Sequence, residues 1–182
     1  IRGMSQVREV AQLGAEALRL QAKEVIDIHS AEIQEVIGDM FTTLADTNGV
    51  GLAAPQISAS WRMMIIASRP SERYPYAPEM EPVLMSNPSF ESVGNAREKD
   101  WEGCLSIPGI RAQVPRFTRI IVNYTSTAGE SISQELEGFV ARVFQHEYDH
   151  LDGLVYLDRV ESNRDIISEG EFVKLMGSSV ST

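Results

Sequence analysis

The 182-residue sequence predicts an α+β fold: short antiparallel strands packed around a central helix. Three observations carry that expectation. Residues 30–47 and 135–151 each show helical periodicity, and a run of short strand candidates lies between them. Strands gathered in a run, with the helices set apart, argue against a doubly wound parallel sheet.

The first helix has Ser30 as its N-cap, with Glu32 and Glu35 near the positive end of the dipole. Ile33, Val36, Ile37, Met40, Phe41 and Leu44 follow the i, i+3, i+4, i+7 rule and form one apolar stripe. Asn48-Gly49 ends it. Residues 62–67 (RMMIIA) read as a strand. Pro70, Pro75, Pro78, Pro82 and Pro88 make 69–88 an irregular surface segment. Strands are expected over 89–93, 103–107, 111–114 and 118–125, with a hairpin turn at Thr127-Ala128-Gly129-Glu130 leading into 131–135. The second helix carries Leu136, Phe139, Val140, Val143, Phe144 and Leu151 as apolar residues, and Gly153 stops it.

The length fits one domain, and no repeat or low-complexity linker divides it. With 43% hydrophobic and 23% charged residues, the disordered and fibrous classes are excluded. The net charge of −10 repels phosphate backbones and anionic lipid, so neither DNA nor a membrane surface is an expected partner. The densest basic run, Arg111 to Arg119, holds only three arginines. No apolar run reaches the 18 or so residues of a membrane span. Glu9, Glu16, Glu24 and Asp27 make the first thirty residues too acidic for a transit peptide, and Ile1-Arg2-Gly3, ahead of Met4, are set aside as a scar. Cys104 is the lone cysteine, so no internal disulfide forms, and a reducing compartment, the cytoplasm, is expected.

The most informative segment is Gln145-His146-Glu147-Tyr148-Asp149-His150, an H-E-x-x-H pattern on the second helix. Residues i and i+4 stand one above the other on a helix, so both imidazoles reach one ion. The glutamate between them reaches a water on that ion and can accept and return its proton. Two of the three histidines in the chain fall in this pattern; the other, His29, precedes the first helix and reads as surface or capping. A catalytic metal of this kind takes three protein ligands and keeps one open position. The sequence offers three sources for the third. An extended H-E-x-x-H-x-x-G-x-x-H pattern matches until its last place, which is Tyr156. Glu161, Glu169 and Glu171 are downstream carboxylates. Cys104 offers a thiolate, a strong ligand for zinc or ferrous iron.

Three segments in order, Gly49-Val50-Gly51-Leu52-Ala53-Ala54-Pro55-Gln56, Glu102-Gly103-Cys104-Leu105-Ser106 and the H-E-x-x-H segment, resemble peptide deformylase. The resemblance spans about residues 13–165 and sets a catalytic domain over 4–165 apart from a tail at 166–182. It implies Cys104, His146 and His150 as ligands of one divalent metal: Fe2+ in the active form, with Zn2+, Ni2+ or Co2+ as substitutes. It implies removal of the formyl group from N-formylmethionyl nascent chains, with release of formate. Metal-activated water attacks, and Glu147 is general base and then acid. Gln56, through its side-chain amide, and Leu105, through its backbone N–H, are implied as donors to the oxyanion, each worth roughly 3 kcal/mol by analogy with other oxyanion holes. Gly51 resembles the position that hydrogen-bonds the substrate backbone.

As a nucleotide loop the glycine segment is poor: it lacks the Gly-Lys-Ser/Thr ending, has Ala54 where a third glycine belongs, and follows a helix. A methionine pocket is expected from Phe139, Val143 and the stem of Arg142 on the second helix, with Val50 opposite. Trp101 rims the cleft or packs beside it, and Glu102 and Arg142 are expected to pair near the site. Two other functions share these features, a zinc endopeptidase and an inactive metal-stabilised binding protein. The missing histidine at Tyr156 argues against the first; the intact Glu147 and Gln56 argue against the second. Nascent chains make the ribosome a natural partner. From Glu161 to its end the sequence holds Glu161, Asp165, Glu169 and Glu171 against Arg164 and Lys174, which argues against a basic docking helix there.

Overall fold

The computed structural model describes residues 5–71 and 74–180, so Ile1-Arg2-Gly3 lie outside it. In chain order the main elements are α1 (Ala31–Ala45), β1 (Gly51–Ala53), β2 (Met63–Ile66), β3 (Val83–Ser92), β4 (Arg97–Cys104), β5 (Ile107–Phe117), β6 (Arg119–Thr125), β7 (Ser131–Glu137), α2 (Gly138–Leu151), β8 (Ile166–Ser168) and α3 (Glu169–Val180). The strands form two antiparallel sheets, β1-β2-β3-β6-β7 and β4-β5-β8. The α+β expectation holds.

β2 explains how the layers stack. All four of its residues are buried, and successive side chains point to opposite faces. Met63 and Ile65 pack with Ile33, Val36, Ile37, Met40 and Leu44 of α1. Met64 and Ile66 pack on the other side with Ala141, Val143, Phe144 and Leu151 of α2. The strand therefore reads as a continuous apolar run because both of its faces are covered. α1 starts as expected: the Ser30 hydroxyl accepts the Ile33 N–H at 3.3 Å.

α2 touches β1, β2, β6 and β7 of the larger sheet and β5 of the smaller one. Ten of its residues, from Ala141 to Leu151, are buried, many of them polar. Such a helix is stable only if its polar face meets polar partners. Gln145 shows how: its amide donates to the Phe117 and Ala141 carbonyls and accepts the Phe117 N–H, tying the helix to the end of β5.

Several boundaries differ from the sequence reading, each for a physical reason. Residues 103–107, expected as a strand, are a hairpin tip: Cys104 pairs with Ile107, and Leu105-Ser106 form the two-residue loop. The expected strand 111–114 is the middle of the longer β5. β4 was not expected because its polar sequence REKDWEGC lacks an apolar alternation; pairing with β5 makes it a strand. The end of the proline-rich segment belongs to β3. Pro88 fits there because the ladder is broken between Ser86 and Ser89, where Asn87 takes φ +47°. The Asn87 side chain instead bonds the backbone N–H and C=O of Val25, both at 2.8 Å. The second helix begins at Gly138 rather than 135, since 135–137 still pair with β6, and Gly138 turns the chain at φ +62°. The segment after 165 holds β8, which pairs with Ile110–Ala112, and α3.

Gly153, where α2 ends, has φ +75°, and a Cβ there would lie 2.6 Å from the Arg19 carbonyl oxygen. Gly109 has φ +90° with nothing within 4 Å of its Cβ position. Gly109→Ala should therefore cost the backbone strain alone, about 1–2 kcal/mol. Gly153→Ala adds a collision with backbone and should cost clearly more. Urea unfolding of both variants checks this; equal losses would mean that the Arg19 contact gives way freely.

Candidate active site

α2 stacks His146 and His150 on one face, with ring centroids 5.3 Å apart. The β4–β5 hairpin tip brings Cys104 to them, its Sγ 3.5 Å from His150 Nε2. One donor atom from each of Cys104, His146 and His150 lies within 4.8 Å of the others, a spacing that can hold a metal ion; no other group of three such residues occurs among the described residues. The downstream carboxylates are not part of it. Tyr156 lies 5.8 Å from His146, ring stacked on ring.

Each histidine is prepared differently. His146 directs Nδ1 at Glu102 Oε1, 2.9 Å away, which leaves Nε2 for the centre. Burial works against a charge on His146, but the hydrogen bonds to Cys104 and Glu102 outweigh it and raise its pKa well above the ordinary value. His150 is fully buried; burial, and then the His146 and Arg116 charges, push its pKa well down and keep it neutral.

Glu102 is buried and accepts from four directions: Arg116 Nε at 2.9 Å, Arg116 Nη2 at 3.0 Å, Arg142 Nη1 at 2.7 Å and His146. Burial raises its pKa, yet the Arg116 charge and these hydrogen bonds overcome it and hold the carboxyl well below the usual range. Arg116 in turn meets Asp149 Oδ2 at 2.7 Å, and Asp149 meets Arg159 at 3.0 Å. The expected Glu102–Arg142 pair is present. The Arg116–Asp149–Arg159 extension is not visible in the sequence, because β5, α2 and the segment after α2 supply it separately.

Glu147 is buried next to His146, with Oε1 3.8 Å from Nε2. Its other oxygen has no hydrogen-bond partner in the protein. Burial, opposed by the His146 charge, pushes this carboxyl up to about 7. A buried carboxyl with an unspent oxygen beside a thiol and two imidazoles is costly alone and is what a divalent cation and its water would complete. The residues fit a metal.

Gln56 sits in the short helical turn after β1. Its Oε1 accepts the Ala53 N–H at 2.9 Å, which fixes the amide; Nε2 then donates to Ser106 Oγ at 3.1 Å and faces Cys104 Sγ at 3.6 Å. Gly51 is glycine because α2 lies on it: a Cβ would sit 3.0 Å from Glu147 Cγ and 3.1 Å from Val143 Cγ1. One cleft is lined by Val50, Gly51, Gln56, Cys104, Leu105, Phe139, Arg142, Val143, His146 and Glu147. Trp101 lines it too and packs on Phe172, so both of its expected roles hold. Tyr74 and Arg111 complete the wall. Neither is legible as a site residue, since each reaches the cleft only through folding of a distant segment. His29 is exposed and lies outside the site.

Replacing Glu102 by Gln removes the acceptor charge that orients His146. Metal affinity should fall about 10–100-fold, read by competition with a chromophoric chelator. Unchanged affinity would mean that His146 is oriented by its packing on Tyr156 alone.

Similar proteins carry the same frame. The family model for polypeptide deformylase matches residues 7–165. "Peptide deformylase 2" of Nostoc sp. is 52% identical over 169 residues, covering 92% of this chain and 93% of its own. The class I type b peptide deformylase of Acinetobacter baumannii, solved with Met-Ala-Ser bound, superposes with TM-score 0.83 at 41% identity, over 86% of this chain and 100% of that one. A peptide deformylase from Synechococcus elongatus in complex with actinonin gives TM-score 0.76 at 32% identity, over 93% of this chain and 86% of that one. With a matched family model over most of its length and a relative at 52% identity, the chain belongs to the polypeptide deformylase family.

Proposed function

We infer that this protein hydrolyses the formyl amide of N-formylmethionyl peptides, giving formate and a free amino terminus. The observation that carries the reading is the buried Glu147 carboxyl, one oxygen unspent, in a cleft that Cys104 and His146 also line, with His150 buried next to Cys104. Cys104 Sγ and one nitrogen of each histidine would hold one divalent cation, with ferrous iron as the working metal and zinc, nickel or cobalt as substitutes. When bound, the cation supplies Lewis acidity, which lowers the pKa of a coordinated water from about 15.7 towards roughly 7.

The chain's own residues do the rest. Glu147 takes a proton from the attacking water and delivers it to the departing amine nitrogen. Its burial suits this, because a carboxyl held near neutrality can both accept and return a proton. The C–N bond of the formamide breaks as the new C–O bond is completed, so formate leaves with the water oxygen. Gln56 Nε2 and the Leu105 N–H donate to the oxygen on which charge develops. The bond from Ala53 N–H to Gln56 Oε1 fixes that amide before substrate arrives. Val50, Phe139, Val143 and the stem of Arg142 form the side-chain pocket, and Gly51 offers its backbone to the peptide. Arg142 is fit for this because its charge is spent on Glu102 and on the Val114 and Glu98 carbonyls.

Residues 4–165 make up the catalytic unit, and nascent chains are the natural substrate, which brings the enzyme to the ribosome in a reducing compartment, the cytoplasm. No helix among the described residues is long and apolar enough to cross a membrane. The acidic C-terminal segment argues against docking through it.

Formate release from formyl-Met-Ala-Ser by anaerobically prepared, iron-loaded protein tests the assignment. Glu147→Ala should lose about 10²–10⁴-fold in kcat while still binding metal. Metal binding with no release by the wild-type protein would overturn the reading in favour of an inactive binding protein.

A further inference from the structure

Arg111 lines the cleft yet is only 2% exposed. Its Nη1 donates to the Tyr74 hydroxyl at 2.7 Å, and its Nε donates to Glu169 Oε2 at 2.7 Å, with Nη2 3.4 Å from Oε1. The guanidinium carbon lies 5.0 Å from the Phe172 ring centroid and 5.7 Å from that of Tyr74. It also lies flat on Gly103: a Cβ at that position would be 2.3 Å from Nη1. Phe172 is buried and meets Trp101 edge-on, with centroids 5.8 Å apart. Tyr74 packs on Phe139 at 4.9 Å.

Three cleft walls, Tyr74 before β3, Trp101 on β4 and Arg111 on β5, are thus keyed together by Glu169 and Phe172 of α3, and neither of these lines the cleft. β8 delivers them, since Ile167 pairs directly with Arg111. All of this lies beyond residue 165, where the family match ends. A guanidinium can turn to many partners. A carboxylate on one side, the Tyr74 hydroxyl on another, the Gly103 backbone and the Phe172 ring leave this one a single position.

We propose that Glu169 and Phe172 are positioning residues: the C-terminal segment sets the shape of the peptide-binding wall by fixing Arg111 and Trp101, and so tunes peptide affinity rather than the chemical step. This rests on the deformylase reading. It deepens that reading by making the cleft the joint product of the matched family region and the segment after it. Glu169 holds Arg111, and Phe172 supports both Arg111 and Trp101, so the two residues act on overlapping parts of one wall.

The test uses the full-length, metal-loaded protein with Glu169→Gln, Glu169→Ala, Phe172→Leu and Phe172→Ala. KM and kcat are measured on formyl-Met-Ala-Ser. Met-Ala-Ser binding is followed by tryptophan fluorescence in a Trp61→Phe background, so that Trp101 alone reports. The alanine variants should raise KM and peptide Kd about three- to tenfold, the range for a partly exposed charged contact or an aromatic prop, with kcat within about twofold. The conservative Gln and Leu variants should recover part of the loss, and they keep the test valid if an alanine variant fails to fold. Variants that melt earlier yet match the wild type in KM, kcat and Trp101 response would overturn the proposal, leaving the segment a structural clamp. A wild type that binds Met-Ala-Ser but releases no formate would strike the deformylase reading instead, and the fluorescence titration would still decide this one.

Discussion

The rest of the site depends on one buried carboxylate. Glu102 sits where β4 meets α2, 4% exposed, and without partners it would be among the least favourable groups in the protein. Two arginines and a histidine supply those partners from two elements: Arg116 from β5, and Arg142 and His146, one turn apart, from α2. Satisfying Glu102 therefore forces the smaller sheet and the helix into one relative position. The same position brings the hairpin tip with Cys104 against His150. A structural demand, that no charge be left unpaired in the interior, and a chemical one, that three ligand atoms converge, are met by a single arrangement.

That arrangement explains why α2 can be so polar and still central. Its apolar residues, Ala141, Val143, Phe144 and Leu151, face the five-stranded sheet. Arg142, Gln145, His146, Asp149 and His150 are buried as well, and nearly all of their polar atoms are spent on β4, β5 or the segment after the helix. The exceptions are informative. Among the described residues, the buried side-chain atoms left without a partner are Ser86 Oγ, Glu147 Oε2 and His150 Nδ1. Glu147 Oε2 lies at the centre, where a ligand can use it, whereas His150 Nδ1 is the ring nitrogen that does not face Cys104.

How far the sequence discloses this depends on the range of the interaction. α1 is legible because capping and a 3.6-residue stripe are local. So are the H-E-x-x-H pair, which needs only one helix, and the turn between β6 and β7. β4 is illegible because its strand character comes from its partner: REKDWEGC has no period of its own. The hairpin tip at Leu105-Ser106 is misread as a strand because nothing in Cys-Leu-Ser-Ile signals a turn; there is no Asn-Gly or Gly at its centre. Arg116, Arg111 and Tyr74 escape notice for the same reason: each matters through a contact more than thirty residues away. Gly51 is legible as special but for a different reason than its backbone reach alone, since Glu147 and Val143 occupy the space a side chain would need.

The place of Cys104 shows what packing adds to a pattern. An extended H-E-x-x-H motif would draw it from position 156, one short connection beyond the helix. Tyr156 does arrive beside the centre, but as a buried ring stacked on His146, with its hydroxyl turned towards the Ile110 carbonyl at 3.5 Å. The flat contact fixes the outer face of the imidazole while Glu102 fixes its edge, so His146 is held from two directions without a ligand from that side. The remaining approach is from the hairpin tip, where Cys104 stands. The same short segment after α2 that supplies a histidine in the extended motif here supplies a wall, and the thiol that joins the two histidines comes from the smaller sheet. A histidine at 156 would lose that stacking surface and would still leave Cys104 beside the two histidines. The two solutions to the third ligand are therefore alternatives built into the packing, not interchangeable residues on one scaffold.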